Sequence, residues 1–348
     1  MNVYKNTYPR PQLQRDSFLS LDGQWDLNGS NTEVPFAKES DLSGYQNNDY
    51  EKELIYTKVF ILPEDFLKED QRLILHFTAV DQICDLWVND TYISHHEGGY
   101  LPFAYDITES LKEENRIVLN VKDDLDAFYP YGKQCREPHG MWYTPVSGIW
   151  GSVWLEAVPE TKRIDYIRIN TSLKTIHIEV ETDAEEYELK IPFDDGIHKM
   201  KCNDKSIDIE LFKLPYKYRL WSPDEPVLYD LIISTDNDEV RSYFGIRELG
   251  VKTVNGYKRL FLNDEPLFLN GVLDQGYFED GIYLPEDPEE YRWDILRMKE
   301  LGFNMLRKHI KVEPEVFYHY CDKEGILVMQ DMVNSGVFRP LADRKSVV

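Results

Sequence analysis

The feature that most constrains the fold is a change in hydrophobic periodicity near residue 250. Before it, short runs rich in β-branched and aromatic residues, such as LIYTKVFIL and IHIEVE, are separated by Asn, Asp and Gly turns. This pattern is typical of β-sandwiches. After it, over residues 251–348, apolar strands alternate with segments of period 3.6, which predicts β-α-β units and a parallel sheet. The sequence therefore predicts an all-β part followed by an α/β part.

The all-β part divides into two predicted domains. Residues 1–160 contain runs such as DLWVNDTYI, in which Leu86 and Val88 share a face and the Asn-Asp pair after them turns a hairpin. Residues 161–250 carry five or six further short strands, a spacing typical of a small immunoglobulin-like sandwich. The spacing also leaves open a single larger β-domain over all 250 residues.

The α/β part reads as strand, helix, strand, helix, strand. PLFLNGVL is the first predicted strand, and the helix after it has a capping box formed by Asp287 and Glu290 and ends at Gly302. FNMLRKH is the second strand, a helix follows between Pro314 and Gly325, and ILVMQDM is the third strand. Strands that are apolar on both faces and joined by crossover helices belong to doubly wound sheets or barrels.

The net charge of the chain limits the kinds of molecule that it is expected to bind. With 63 acidic and 39 basic residues the formal net charge is −24, which repels phosphate backbones and anionic headgroups. We therefore expect no nucleic acid and no membrane as partner, and a neutral or cationic ligand instead. No stretch approaches the ~20 apolar residues of a membrane span, and the opening residues lack the apolar core of a secretion signal.

The cysteines predict a reducing environment. Cys84, Cys135, Cys202 and Cys321 lie far apart and form no Cys-x-x-Cys pair. This spacing fits free thiols of a cytoplasmic protein better than a disulfide framework or a zinc site. We expect no metal and no cofactor.

Several strings, in order along the chain, resemble glycoside hydrolase family 2, the family of β-galactosidases, β-glucuronidases and β-mannosidases. LDGQWDL, DLWVNDTYISHHEGGYLPFAYDIT and GKQCREPHGMWYTPVSGIWGSVWLE are similar to its jelly-roll sugar-binding domain. WSPDEPVLYDL and YFGIRE are similar to the end of its immunoglobulin-like domain. The resemblance implies a jelly roll, an immunoglobulin-like sandwich and then a truncated (β/α)8 TIM barrel with about three strands.

The resemblance also implies retaining hydrolysis of O-glycosidic bonds by two carboxylates about 5–5.5 Å apart. The family carries its acid/base in an Asn-Glu pair after the fourth barrel strand and its nucleophile after the seventh. This chain has three predicted strands and no Asn-Glu pair, so both carboxylates are expected beyond its C-terminus and the chain is expected to be inactive as written. A glycoside or oligosaccharide is the expected partner, and the complete enzyme can be a homo-oligomer.

Two other functions stay open from the sequence. The chain can be a stand-alone, non-catalytic carbohydrate-binding protein, or a structural or interaction fragment. Binding would need a preformed concave site, and the polar residues that suit one lie in the predicted barrel portion.

Barrel active sites form at the C-terminal ends of the strands. The first candidate residues are therefore the polar residues at the end of the second predicted strand. Alternation along FNMLRKH places Arg307 and His309 on one face and Lys308 on the other. The resemblance implies that Arg307 supports the nucleophile and that His309 faces the substrate, although His309 stands one position from the commonest spacing. The alternative for Arg307 is that it only ties adjacent strand ends together.

Three more candidates follow the first and third strands. Asp274 and Gln275 stand where β-galactosidases carry a basic pair, which argues against galactosidase specificity, and both can hydrogen-bond sugar hydroxyls. Asp331 follows the third strand, where a purely structural role is the alternative.

Two features of the first region are assigned no binding role. His95 and His96 are expected to be solvated loop residues, because no Cys or carboxylate stands at ligand spacing. A group of aromatic residues could stack on sugars but is expected to seal the sandwich core: Trp142, Tyr143, Trp150 and Trp154.

The last six residues, DRKSVV, have neither strand nor helix periodicity. The string is also the translation of a common sequencing adapter, so we expect a read-through adapter as its origin. A natural truncation or a designed end is the alternative.

Overall fold

The computed structural model describes residues 3–47 and 49–334 of the chain. The DRKSVV string, residues 343–348, lies outside the described residues. Among the described helices, none is long and apolar enough to cross a bilayer. The four cysteines are all free thiols.

Two antiparallel sheets form the first sandwich. Its strands are β1 Leu19–Ser20, β2 Gly23–Leu27, β3 Ser30–Val34, β4 Leu54–Phe60, β5 Gln71–Phe77, β6 Val80–Asp81, β7 Ile83–Val88, β8 Thr91–Glu97, β9 Phe103–Asp106, β10 Asn115–Lys122, β11 Gly148–Ile149 and β12 Val153–Pro159. One sheet has the order β1-β12-β5-β9, the other β3-β2-β4-β10-β7-β8, and β11 pairs with β6. Alternate residues of several strands, such as Leu73, Leu75 and Phe77 of β5, are fully buried in one shared core.

The predicted hairpin in this sandwich is confirmed. Leu86 and Val88 are buried on β7, and Asn89 and Asp90 turn the chain with φ of 50° and 68°, the positive values that a tight hairpin turn requires. His95 and His96 were expected in a loop, and this expectation is wrong. Both residues lie on β8. Strand pairing with β7 holds them there, with Asp85 opposite His95.

The aromatic residues divide between two environments. Trp150 and Trp154 are buried, but neither lies in the core of the first sandwich: Trp150 packs against Tyr283 in a separate cluster, and Trp154 stacks on His76. Trp142 and Tyr143 are only half-buried and lie in the long connection between β10 and β11. Burial is therefore as predicted for two of the four residues, but the predicted place in the sandwich core is wrong.

Seven strands form a second, separate sandwich. They are β13 Ile164–Thr171, β14 Thr175–Thr182, β15 Tyr187–Phe193, β16 Gly196–Cys202, β17 Ser206–Glu210, β18 Tyr229–Ser234 and β19 Glu239–Phe244. The sheets have the orders β13-β14-β17 and β16-β15-β18-β19 and enclose their own hydrophobic core. The predicted boundaries at residues 160 and 250 stay predictions.

The last described part is the parallel unit, which follows a small antiparallel sheet. That sheet contains β20 Leu249–Val254, β21 Tyr257–Leu262 and β22 Glu265–Pro266, and the parallel unit contains β23 Gly271–Asp274, α1 Glu289–Glu300, β24 Met305–Lys308, α2 Glu315–Glu324 and β25 Leu327–Gln330. The three strands of the unit are parallel in the order β23-β24-β25, as predicted. That they begin a barrel remains a prediction.

The predicted start of the first strand is too early. The apolar run begins at residue 266, but β23 begins at Gly271. The cause is a competing partner, because the backbone N–H of Leu267 donates to the carbonyl of Leu260 on β21 instead of joining the parallel sheet. Periodicity alone does not show which neighbour a strand pairs with.

The capping prediction for α1 is confirmed. The Asp287 carboxylate accepts from the backbone N–H of Glu289 at 2.9 Å, and the Glu290 carboxylate accepts from the N–H of Asp287 at 3.2 Å. Gly302 follows the last turn with φ of 87°, in the left-handed region that favours glycine. The helix position is therefore fixed by local sequence.

One face of the parallel sheet is covered and the other is open. Leu306 of β24 packs with Phe317 of α2 in a buried cluster. On the opposite face Leu273, Arg307 and Met329 lie side by side in register across the three strands. The apolar members of this row, Leu273 and Met329, are 49% and 45% exposed.

An N-terminal segment, residues 3–16, joins the three parts. The hydroxyl of Tyr4 donates to the carbonyl of Pro285 in the connection between β23 and α1. Arg15 binds Glu156 of the first sandwich and Asp238 of the second. The three parts are thereby held in one arrangement.

Candidate active site

Three of the predicted residues meet at the carboxyl ends of β24 and β25. We call Arg307, His309 and Asp331 the strand-end cluster. Arg307 contacts the Asp331 carboxylate through Nε at 3.2 Å and Nη2 at 3.0 Å, and Nδ1 of His309 lies 3.1 Å from the same carboxylate. The predicted common face of Arg307 and His309 is therefore present, and Asp331 connects the two side chains.

The cluster is held by charge. Partial burial opposes ionisation of Asp331, but the hydrogen bonds from Arg307 and His309 outweigh it and lower the pKa of this carboxyl. The Arg307 side chain is 50% exposed, and an ion pair that exposed adds little to stability. The pair therefore orients groups at the strand ends more than it stabilises the fold.

The first sandwich supplies a further cation that sequence reasoning missed. Lys133, in the connection between β10 and β11, places its Nζ 3.4 Å from Nε2 of His309. Nδ1 of His309 therefore lies beside the Asp331 carboxylate and Nε2 beside the Lys133 ammonium, and these two contacts fix the orientation of the ring. Only the string GKQCREPHGMWY, quoted for its resemblance, pointed to this connection, and nothing in it singled out Lys133.

Gln275 lies beside the cluster and faces the same connection. Its Nε2 donates to the hydroxyl of Tyr143 at 2.6 Å, and the ring of Tyr143 packs on that of Tyr277. The strand ends are therefore bordered by aromatic and amide groups from two parts of the chain, a combination that suits sugar hydroxyls.

Asp274 does not join the strand-end cluster. Its carboxylate accepts from Nζ of Lys308 at 2.7 Å and from the backbone N–H of Gly276 at 2.9 Å. The physical reason is the burial of Lys308, whose ammonium is 1% exposed and needs a counter-ion. The predicted contact of Asp274 with a sugar stays a prediction, and the structure shows this carboxylate paired with Lys308 instead of with the strand-end cluster.

A second charged group lies on the covered face of the sheet. The buried lysine cluster consists of Lys308, Lys311 and Glu313. The Glu313 carboxylate, which is fully buried, lies 2.9 Å from each ammonium, and Tyr291 donates to it at 3.1 Å. Lys311 also donates to the carbonyls of Gly276 and Tyr283, which fixes the connection between β23 and α1.

Burial perturbs the two lysines differently. It lowers the pKa of Lys311 to about 8, since the attraction of Glu313 only partly offsets desolvation. Burial also opposes the charge of Lys308, but the attraction of Glu313 and Asp274 outweighs it and raises the pKa. The predicted orientation of Lys308 away from Arg307 is confirmed, whereas its partners were not predicted.

The strand-end cluster contains one carboxylate. Its single carboxylate, Asp331, is engaged by two partners, whereas the reaction uses two carboxylates in different roles. Within residues 3–47 and 49–334, no group of three or more His, Cys, Asp or Glu side chains is placed to hold a metal ion.

Two family profiles match the chain. The one described as the sugar binding domain of glycosyl hydrolases family 2 matches residues 8–159, and the one described as glycosyl hydrolases family 2 matches residues 162–247. The parallel unit lies outside both matches.

Curated relatives carry glycosidase names. A β-galactosidase of Thermoanaerobacter pseudethanolicus is 26% identical over 334 residues, which cover 89% of this chain and 44% of the relative. A putative β-glucuronidase of Formosa agariphila is 29% identical over 283 residues, covering 74% and 25%. The chain thus spans less than half the length of these relatives.

A solved structure has the same fold over nearly the whole chain. It is a β-glucuronidase from an uncultured Clostridium, with a TM-score of 0.78 and 21% identity, and the match covers 94% of this chain and 62% of that one. At this identity the likeness concerns the fold.

Proposed function

We propose, from the premise that this chain belongs to glycoside hydrolase family 2, that it is the N-terminal part of a retaining glycosidase that hydrolyses O-glycosidic bonds in carbohydrate metabolism. The glycosidase names of the relatives support the reaction class. The observation that carries the proposal is the strand-end cluster, which lies at the carboxyl ends of parallel strands where barrel enzymes build their active sites.

The chain by itself is inactive under this proposal. Retaining hydrolysis needs one carboxyl to protonate the leaving oxygen and a second to form the covalent intermediate. The sequence has no Asn-Glu pair of the kind that carries the family's acid/base. We assign both catalytic carboxylates to a continuation of the barrel that begins with β23, β24 and β25.

In the complete enzyme the strand-end cluster positions the reacting groups. Arg307 supplies guanidinium N–H groups beside the predicted nucleophile, and Asp331 holds that guanidinium in place. His309, held between Asp331 and Lys133, faces the substrate. Gln275 contributes an amide toward sugar hydroxyls, and the site needs no cofactor. We expect the enzyme to act in the cytoplasm.

The experiment is a comparison of two proteins on nitrophenyl β-glycosides of galactose, glucuronic acid, glucose and mannose. The chain as given should release no nitrophenol above a buffer control. The same chain extended by a complete family barrel should hydrolyse at least one substrate with retention of the anomeric configuration. Turnover by the given chain that survives repurification would overturn the inactivity. Sugar binding by calorimetry without turnover in either protein would favour a non-catalytic carbohydrate-binding protein.

A further inference from the structure

Lys133 and Tyr143 extend from the connection between β10 and β11, residues 123–147, to the strand ends. Lys133 places its Nζ 3.4 Å from Nε2 of His309, and the hydroxyl of Tyr143 accepts from Gln275 at 2.6 Å. The connection lies outside the sheets of the first sandwich. The positions of these two side chains therefore depend on how the backbone of the connection is anchored.

Gln134 lies at the point where the backbones of these two residues meet. It pairs with Tyr143 in an isolated parallel bridge. The N–H of Tyr143 donates to the carbonyl of Lys133 at 2.9 Å, and the N–H of Cys135 donates to the carbonyl of Tyr143 at 3.0 Å. Since Gln134 stands between the two bonded residues, a shift of its backbone would move both Lys133 and Tyr143.

The side chain of Gln134 is a buried anchor. The residue is 2% exposed. Its Nε2 donates to the hydroxyl of Tyr100 at 3.0 Å and lies 3.3 Å from both the hydroxyl of Tyr283 and the carboxyl of Asp81. Its Oε1 accepts from the backbone N–H of Val146 at 2.5 Å. Both ends of the amide are therefore satisfied, as a buried polar group requires.

The partners of this amide belong to two parts of the chain. Asp81 and Tyr100 lie in the first sandwich, whereas Tyr283 lies in the connection between β23 and α1. The hydroxyls of Tyr100 and Tyr283 are 2.8 Å apart, and Lys311 donates to the carbonyl of Tyr283 at 2.6 Å. Gln134 is thereby fixed relative to the parallel unit, which carries the strand-end cluster.

The backbone just before Gln134 needs such an anchor. Gly132 and Lys133 both have φ of 59°, in the left-handed region. A Cβ at position 132 would lie 2.6 Å from the hydroxyl of Tyr100, so a glycine fits there. Lys133 carries a Cβ, and for such a residue the left-handed conformation is unfavourable and persists where the surroundings impose it. The contacts of the Gln134 amide supply that constraint.

We propose that Gln134 is a positioning residue of the proposed active site. Its amide holds the connection where Lys133 meets His309. The same anchor sets the hydroxyl of Tyr143 against Gln275. The effect on catalysis rests on the proposed function, whereas the two contacts exist in the chain as given. Without the anchor, Lys133 is free to leave the left-handed conformation, and its ammonium moves away from His309.

The first experiment measures the contact between Lys133 and His309 in the full chain by NMR. With protonated lysine and histidine in an otherwise deuterated protein, a nuclear Overhauser effect should join the Lys133 side chain to the His309 ring. Gln134→Met nearly keeps the length of the side chain and removes the amide. We expect this variant to fold and to lose most of that signal. An unchanged signal would overturn the proposal.

The matched control is Gln82→Met. Gln82 is also buried, and its amide anchors the same connection near its start, since Nε2 donates to the carbonyl of Asp126 and Oε1 accepts from the N–H of Asp126, both at 3.2 Å. The control should keep the signal between Lys133 and His309. Equal loss in both variants would overturn the proposal, because any anchor of the connection would then serve as well as Gln134.

If Gln134→Met does not fold, Tyr283→Phe takes its place, since it removes one acceptor of the amide. This milder change should weaken the same signal. A folded Tyr283→Phe variant with an undiminished signal would likewise overturn the proposal.

The second experiment uses the completed enzyme. Gln134→Met should lower kcat/KM by about tenfold or more, because displacement of a site group by about 1 Å costs up to about a hundredfold. In a background of Lys133→Met and Tyr143→Phe, where both contacts are already absent, the same change should lower kcat/KM by less than about twofold. Equal losses in the two backgrounds would show a purely structural role and overturn the proposal. A completed enzyme that is inactive with Gln134 in place would instead refute the proposed function, and the NMR result would stand.

Discussion

The first sandwich and the parallel unit enclose their apolar residues to different degrees. In the sandwich the two sheets cover each other, so that Leu73, Leu75 and Phe77 are fully buried. In the parallel unit the helices cover one face only, and Leu273 and Met329 on the other face are about half exposed. The polar side chains of the strand-end cluster lie at the open face, where Arg307 is half exposed. Incomplete cover thus leaves polar side chains accessible and buries less apolar surface.

Truncation of a sandwich core residue should have the largest effect. Phe77→Ala is expected to lower the free energy of unfolding by about 3–5 kcal/mol, because it removes buried apolar surface and leaves a cavity. The matched change on the open sheet face, Met329→Ala, should cost well under about 1 kcal/mol, since its side chain is already 45% exposed. Urea denaturation of both variants measures the loss in the free energy of unfolding. Similar losses would contradict the proposed difference in burial between the two regions.

Within the parallel unit, the covered and open faces should also differ in how much stability is lost when a carboxylate is neutralised. Glu313→Gln removes the negative charge between two buried ammonium groups, and loss of one partner of a buried pair costs about 3 kcal/mol or more. Asp331→Asn at the open face is expected to cost at most about 1 kcal/mol. Thermal unfolding monitored by circular dichroism compares them. An equal loss would mean that the strand-end cluster is a stabilising element.

The two environments should also give opposite pH responses. Burial in the first sandwich raises the pKa of Asp22 to about 7, against about 3.9 in an unfolded chain. Between pH 5 and pH 7 the unfolded chain therefore ionises this group while the folded chain keeps it protonated, and the free energy of unfolding falls. Asp22→Asn should gain about 2 kcal/mol over the native chain across this interval. Parallel stability curves for the two proteins would contradict the raised pKa.

Asp331 is expected to change the free energy of unfolding with pH in the opposite direction to Asp22. Its pKa is lowered in the folded chain, so its contribution to stability is present above the ordinary carboxyl pKa and is lost as the pH falls through the lowered value. NMR titration of the Asp331 side-chain carboxyl, compared with the Arg307→Ala variant, reads this directly. An unchanged titration midpoint in the variant would show that Arg307 does not hold the charge.

The smallest effect on stability is expected for Arg307→Ala. The pair is half exposed, so the variant should unfold within about 1 kcal/mol of the native chain. In the completed enzyme the same change should lower kcat far more than it lowers stability. A reduced melting temperature with an unchanged kcat would leave Arg307 as a tie between strand ends.

Local patterns predicted the elements and the alternation along β24. The capping of α1 by Asp287 and Glu290 depends on residues within one turn, and the opposite faces of Arg307 and Lys308 follow from the geometry of any strand. These features need no distant partner. They could therefore be read from the sequence.

The contacts that the sequence did not reveal depend on partners far along the chain. Lys133 reaches His309 across 176 positions, and Asp274 turns toward Lys308 because that ammonium is buried by a helix. The start of β23 is set by competition from β21 for the backbone of Leu267. Hydrophobic periodicity does not predict such long-range contacts. The residues that make up the site could therefore be identified only from the structure.

The N-terminal segment has a consequence for synthesis on the ribosome. Tyr4 precedes Pro285, to which it bonds, by 281 positions, and at about 5–20 residues per second this interval is roughly 15–55 s. The first sandwich can close on its own core long before then, whereas the segment that ties it to the parallel unit must wait for its acceptor to emerge. The earliest residues described here are therefore among the last to reach their final contacts, and during that delay a chaperone or a neighbouring nascent chain has access to them.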